Sequence, residues 1–147
     1  MEEVGKLEAI WLKPQRRQLM EPQENATLKA HQGLLGNANQ GDRRQVTLIE
    51  QEIWDGLRER LRPDLDPSAR RANLMVSGIR LAGTRGRVLL VGQCRIQIWG
   101  ETKPCARMDE ACPGLKDALI ENWGGGAHGE ALVDGEITVG DPVRWLD

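Results

Sequence analysis

The chain has 147 residues, enough for one domain (1–147) that buries a real core without disulfide staples. Its 20 basic and 22 acidic residues leave a net charge of -2, which implies no global polyanion-binding face and hence no nucleic-acid partner. No apolar run of about 18 residues is present, so no membrane span is expected, and the acidic Met1-Glu2-Glu3 start differs from the basic start of a secretory signal.

Residues 4–12 read as a first strand, and the polar stretch 14–29, with Arg16-Arg17 and Pro22, as a long loop. Gly33, Gly36 and Gly41 punctuate a second loop, after which Gln45-Val46-Thr47-Leu48-Ile49 looks like a buried strand. Residues 50–61 carry the clearest helical pattern, with Ile53, Trp54, Leu57 and Leu61 on one face and charges on the other. Pro63 stops that helix. A short strand is expected over 73–79. Residues 87–91 and 94–99 then form a hairpin about Gly92-Gln93, with Cys94, Ile96 and Ile98 sharing its core face.

Cys112-Pro113-Gly114-Leu115 opens a short helix with Pro113 in its first turn. The run Gly124-Gly125-Gly126 lacks the spacing of a phosphate loop and reads as a flexible bend. Asp134-Gly135 between 130–133 and 136–139 is the strongest local hairpin signal, and 143–146 add a last half-strand. Six or seven short strands with two or three short helices predict a mainly β domain that closes, wholly or partly, into a barrel.

Chemistry concentrates at Lys103-Pro104-Cys105-Ala106-Arg107, directly after the second strand of the hairpin. The thiolate is the nucleophile and metal ligand, and a free thiol with a pKa of about 8.5 is only slightly ionised at neutral pH. Lys103 and Arg107 favour the ionised form where their side chains turn toward the sulfur. The alternative is a small buried residue in a turn. The other cysteines, Cys94 and Cys112, make no C-x-x-C pair with it, and an odd number suits a reducing cytoplasm. His31 and His128 lie too far off in sequence to complete a zinc site.

Four stretches, Gly33-Leu34-Leu35-Gly36, Arg44 to Glu50, Arg70-Arg71-Ala72-Asn73-Leu74 and Gly86 to Cys105, resemble in order and spacing the MOSC domain, the module at the C-terminus of molybdenum cofactor sulfurases. The closing run from Asp134 to Asp141 is similar too, and the likeness is to short, stand-alone bacterial members. The resemblance implies a MOSC-type β-barrel and one functional cysteine, Cys105, that either ligates molybdenum or carries sulfur as a persulfide formed without pyridoxal chemistry in this chain. It also implies a molybdenum cofactor (molybdopterin) held by Arg71 and Asn73, with Arg44 and Lys103 as further candidates for its phosphate.

Three activities follow as expectations. The first is an oxidoreductase that reduces N-hydroxylated compounds such as hydroxylaminopurine-type bases, supplied by a separate electron-donor reductase. The second is a sulfur carrier or sulfurtransferase fed by a sulfur-donor desulfurase, and the third a non-catalytic cofactor-binding module. A cytoplasmic location goes with all three, and five tryptophans leave room for a homodimer interface. Relatives carry an acidic residue and histidines after Gly-Leu-x-Gly, where this chain has Asn37-Ala38-Asn39-Gln40-Gly41-Asp42.

Overall fold

The computed structural model describes residues 4–15, 19–38, 40–41 and 44–146; the Met1-Glu2-Glu3 start, the Arg16-Arg17 pair, Asn39 and Asp42 lie outside the described residues. Strands are β1 (Gly5–Leu12), β2 (Glu21–Gln23), β3 (Asn25–Lys29), β4 (Gly33–Leu34), β5 (Val46–Glu50), β6 (Leu74–Ser77), β7 (Val88–Val91), β8 (Cys94–Glu101), β9 (Ala127–Ala131), β10 (Gly135–Thr138) and β11 (Pro142–Trp145). Helices are α1 (Gln51–Arg60), α2 (Arg107–Ala111) and α3 (Leu115–Ala118), with 3-10 turns at Pro67–Arg70 and Glu121–Trp123.

Seven strands close into a barrel in the order β1-β11-β7-β8-β9-β5-β6, and β6 returns to β1. Closure removes the exposed strand edges that a sheet of this size would otherwise present. Only β5 and β6 run parallel, with Leu48 opposite Leu74, and α1 supplies the crossover such a pair requires. The inward residues of the barrel, among them Leu7, Leu48, Leu74, Leu89, Ile96 and Ile98, are fully buried. A second apolar layer lies outside it. Trp11 and Ile49 on the outer face meet Trp54 and Leu57 of α1, Met108 of α2 and Leu115 of α3. No helix among the described residues is long and apolar enough to cross a membrane.

The barrel, the β7–β8 hairpin and α1 agree with the sequence pattern. Three expectations fail, each because a distant partner decides. The 14–29 loop contains β2 and β3, which pair with β1 and with β10. The Asp134-Gly135 hairpin does not form: β9 pairs with β5 and β8, and β10 pairs with β3, with Ile137 opposite Ala26. Asp134 Oδ1 instead accepts the Ala30 N–H at 2.7 Å, so its side chain anchors the far end of β3.

The glycine run is also not a loose bend. A Cβ on Gly124 would lie 2.7 Å from Leu119 O, one on Gly125 2.4 Å from Thr102 O, and one on Gly126 2.0 Å from Leu48 O. Three backbones therefore approach at distances no larger residue allows.

Candidate functional site

Strand β8 delivers the cysteine. After Glu101 the chain is tied to the glycine run, where Thr102 N–H donates to Gly126 O at 2.8 Å and Gly125 abuts Pro104. Pro104 gives the next residue a stiff approach. Cys105 then turns into α2, its carbonyl accepting the Met108 N–H at 2.9 Å. All three cysteines are free thiols, and Cys105 alone is exposed. Cys94 points into the barrel, where burial first, and Asp141 second, push its thiol pKa up. Cys112 is buried in the outer apolar layer at the end of α2. Asp109, four residues past Cys105, accepts the Lys116 N–H at 3.1 Å.

The cation nearest in role to Cys105 is one that sequence patterns do not single out. Arg70 ends the 3-10 turn, which Asp66 caps by accepting the Ser68 N–H at 2.9 Å. Its Nε donates to Gly125 O at 2.8 Å and its Nη2 to Thr102 O at 3.3 Å, so its guanidinium is pinned against the segment leading to Cys105. Burial is the main influence lowering its pKa. The charge of Cys105 opposes that shift and Arg44 adds to it, which brings all three groups into one electrostatic neighbourhood. The sequence signal was present in the adjacent pair Arg70-Arg71, but only the carbonyl partners distinguish the two.

Of the predicted ligands, Arg44 is exposed just before β5 and Lys103 is exposed beside Pro104. Arg71 is half-buried in a left-handed conformation (φ 63°) that ends the 3-10 turn.

Asn73 is hydrogen-bonded within the fold. It is 4% exposed, and its Oδ1 accepts from Thr47 N–H (3.1 Å) and Thr47 Oγ1 (3.2 Å). Its Nδ2 donates to Trp11 O and to Asn37 Oδ1, both at 3.2 Å. An amide offers two donors and two lone pairs, and the Asn73 side chain makes all four of these bonds with protein groups. Asn73 is a clamp that holds β1, β5 and β6 together. Asn37, in the stretch that departs from relatives, completes the clamp by accepting the Lys13 N–H at 2.9 Å.

The outer face of the barrel also holds His128, which the sequence set aside. Register places Thr47, His128 and Gly100 opposite one another across β5, β9 and β8. His128 Nδ1 lies 3.5 Å from Thr102 Oγ1. A Cβ on Gly100 would stand 3.5 Å from the His128 ring and 3.2 Å from the Arg85 guanidinium, so the missing side chain leaves room for both. Hydroxyl, imidazole and guanidinium groups thus gather around Gly100.

A barrel of this topology, with one exposed cysteine following its longest hairpin, defines a class. The model of the MOSC domain matches residues 36–144, and the chain belongs to the MOSC domain family. YuaD from Bacillus subtilis is similar in fold, with a TM-score of 0.83 at 17% identity over 99% of this chain and 97% of that one. YiiM from Geobacillus stearothermophilus gives 0.78 at 16% identity over 97% of this chain and 75% of its own. YiiM from Escherichia coli gives 0.69 at 14% identity over 97% and 70%. No curated protein matches the chain.

The family is associated with the molybdenum cofactor. Among the described residues no three His, Cys, Asp or Glu side chains gather to hold a bare metal ion. A metal at Cys105 would therefore arrive with other ligands already in place, and a single soft thiolate plus an anion-pairing guanidinium suits a cofactor of that kind.

Proposed function

We propose that the chain binds the molybdenum cofactor with Cys105 as thiolate ligand of the metal, and that it reduces N-hydroxylated compounds. The observation that supports this reading is that the half-buried Arg70 guanidinium is tied to the carbonyls of Thr102 and Gly125, against the segment that leads to the exposed thiol of Cys105. When bound, the cofactor supplies two-electron oxo-transfer chemistry. The chain's residues do the rest. Arg70 spends one N–H on each of two carbonyls, and its remaining N–H groups can fork onto a phosphate. Arg44, Arg71 and Lys103 add positive charge around it. His128 can donate or accept a hydrogen bond on this face, its Nδ1 lying 3.5 Å from Thr102 Oγ1. Electrons come from a separate reductase, since the chain has no flavin motif and three cysteines do not bind an iron–sulfur cluster. The 147 residues act as one unit in the cytoplasm.

The exposure of Cys105 also favours a second reading, a sulfur carrier, because a persulfide must be reached by the partners that load and unload it. One preparation separates the two. Protein from a cofactor-making host is assayed for molybdenum, for molybdopterin fluorescence after oxidation and for cyanide-labile sulfur, alongside Cys105→Ser. Bound molybdenum with a thiolate charge-transfer band that Cys105→Ser abolishes is the expected result. Cyanide-labile sulfur without molybdenum selects the carrier. Pterin fluorescence indifferent to Cys105→Ser selects a binding module, and none of the three signals overturns the cofactor reading.

A further inference from the structure

A cavity of about 450 Å³ lies apart from the residues assigned above, between the end of β5, the start of α1 and the segment after β6. Its polar lining is Glu50, Glu52 and Arg80, its apolar lining Ile53, Ile79 and Ala82, and Asn122 closes one side. The size is that of a small-molecule site, and the cleft is partly open to solvent, with polar and apolar groups sharing its lining.

The carboxylates are short of partners. Glu50 is only 7% exposed, yet its one hydrogen bond is from Leu81 N–H to Oε2 at a long 3.4 Å. Its Oε1 accepts nothing among the described residues. Burial, and then the neighbouring charge of Glu52, push its carboxyl pKa up, while the Leu81 N–H and Arg80 pull the other way. Glu52 Oε2 takes the Gly78 N–H at 2.7 Å and its Oε1 is likewise unspent. Arg80 is exposed and makes no ion pair with either carboxylate among the described residues. Glu52 is exposed and Glu50 buried, and a buried carboxylate with a single long hydrogen bond is costly; N–H groups on a cation relieve it best. Two carboxylates against one solvent-facing guanidinium also disfavour an anion.

We propose that this cavity binds a small organic cation, an amine or guanidine on a short hydrocarbon, whose N–H groups pair with the unspent oxygens of Glu50 and Glu52 while its carbons pack on Ile53, Ile79 and Ala82. The site is independent of Cys105 and of the cofactor.

Calorimetric titration with butylguanidinium, and with butylurea as its neutral isostere, tests this on the full chain. One butylguanidinium binds per chain, and butylurea binds at least about tenfold more weakly, as loss of a charge-assisted pair implies. Glu50→Gln keeps an acceptor for Leu81 N–H and weakens binding about tenfold or more; Glu52→Gln weakens it less. Arg80→Gln strengthens binding by removing a like charge. Cys105→Ser leaves it unchanged, so failure here is distinct from failure of the cofactor reading. Ala82→Phe fills the cavity without touching either carboxylate and abolishes binding, which keeps the test decisive where Glu50→Gln does not fold. Equal affinity for butylurea, no butylguanidinium binding, or binding retained in Glu50→Gln or in Ala82→Phe overturns the proposal.

Discussion

The inside and the outside of the same strands make opposite uses of one backbone. Along β5, β8 and β9 the inward positions Val46, Leu48, Ile96, Ile98 and Ala131 are fully buried and apolar. The outward positions carry Thr47 and His128, and the chain beyond β8 adds Thr102 and Cys105. Two cysteines show the same division: Cys94 is sealed with a raised thiol pKa, and Cys105 stands in solvent beside a pinned guanidinium. Alternation along a strand sorts the residues, and closure of the barrel leaves the interior nothing to do but pack. The polar side chains of these strands therefore lie on the outer face.

Substitutions sharpen this contrast. The largest loss of stability is expected from the interior: Leu48→Ala removes a fully buried side chain where neighbours collapse poorly, and lowers unfolding free energy in urea by about 3 kcal/mol. Alkylation of Cys105 in the folded variant stays at the wild-type rate. Asn73→Ala comes next, on the outer face, at about 2 kcal/mol, because it strands the Thr47 N–H and the Asn37 amide oxygen loses a donor. A pterin ligand at Asn73 would instead show as lost cofactor with unchanged stability, and that outcome would break the assignment of Asn73 as a clamp.

The smallest effect is a pH dependence at Glu50. Its folded carboxyl pKa is raised above the ordinary 4.5, so the folded state holds that proton more tightly than the unfolded chain. The resulting stability is complete below the ordinary value and is lost as pH rises through the raised one. Glu50→Gln removes this decline. Its unfolding free energy therefore gains on the wild type as pH rises from acid to neutral, by on the order of 1 kcal/mol or less. Parallel pH profiles for the two proteins would show Glu50 to be indifferent to its burial.

Much of the barrel was legible because its signals are local. The alternation of Cys94, Ile96 and Ile98, the Gly92 turn (φ 57°) and the face of α1 with Trp54 and Leu57 are written in consecutive residues. The fate of Asp134-Gly135 was not, because turn chemistry cannot see that β3 waits for β10 as a partner. The site divides in the same way. An exposed cysteine between cations is readable from a heptapeptide. Arg70 owes its place to carbonyls at Thr102 and Gly125, and Asn73 owes its setting to Thr47, Trp11 and Asn37, all of them distant in sequence. The three glycines carried the right signal, but close approach and looseness look alike until the facing backbone is known.

The pairing of Gly5 with Val143 joins strands from opposite ends of the sequence. Bringing such remote segments together carries the largest loop-closure entropy of any contact in the barrel, and contacts of that span slow folding. Until β11 slots between β1 and β7, both of those strands hold open rows of N–H and C=O groups that another chain can capture. The window in which this protein is prone to aggregate is therefore the interval before its final zipper closes, and its length is set by topology, not by the strength of the core.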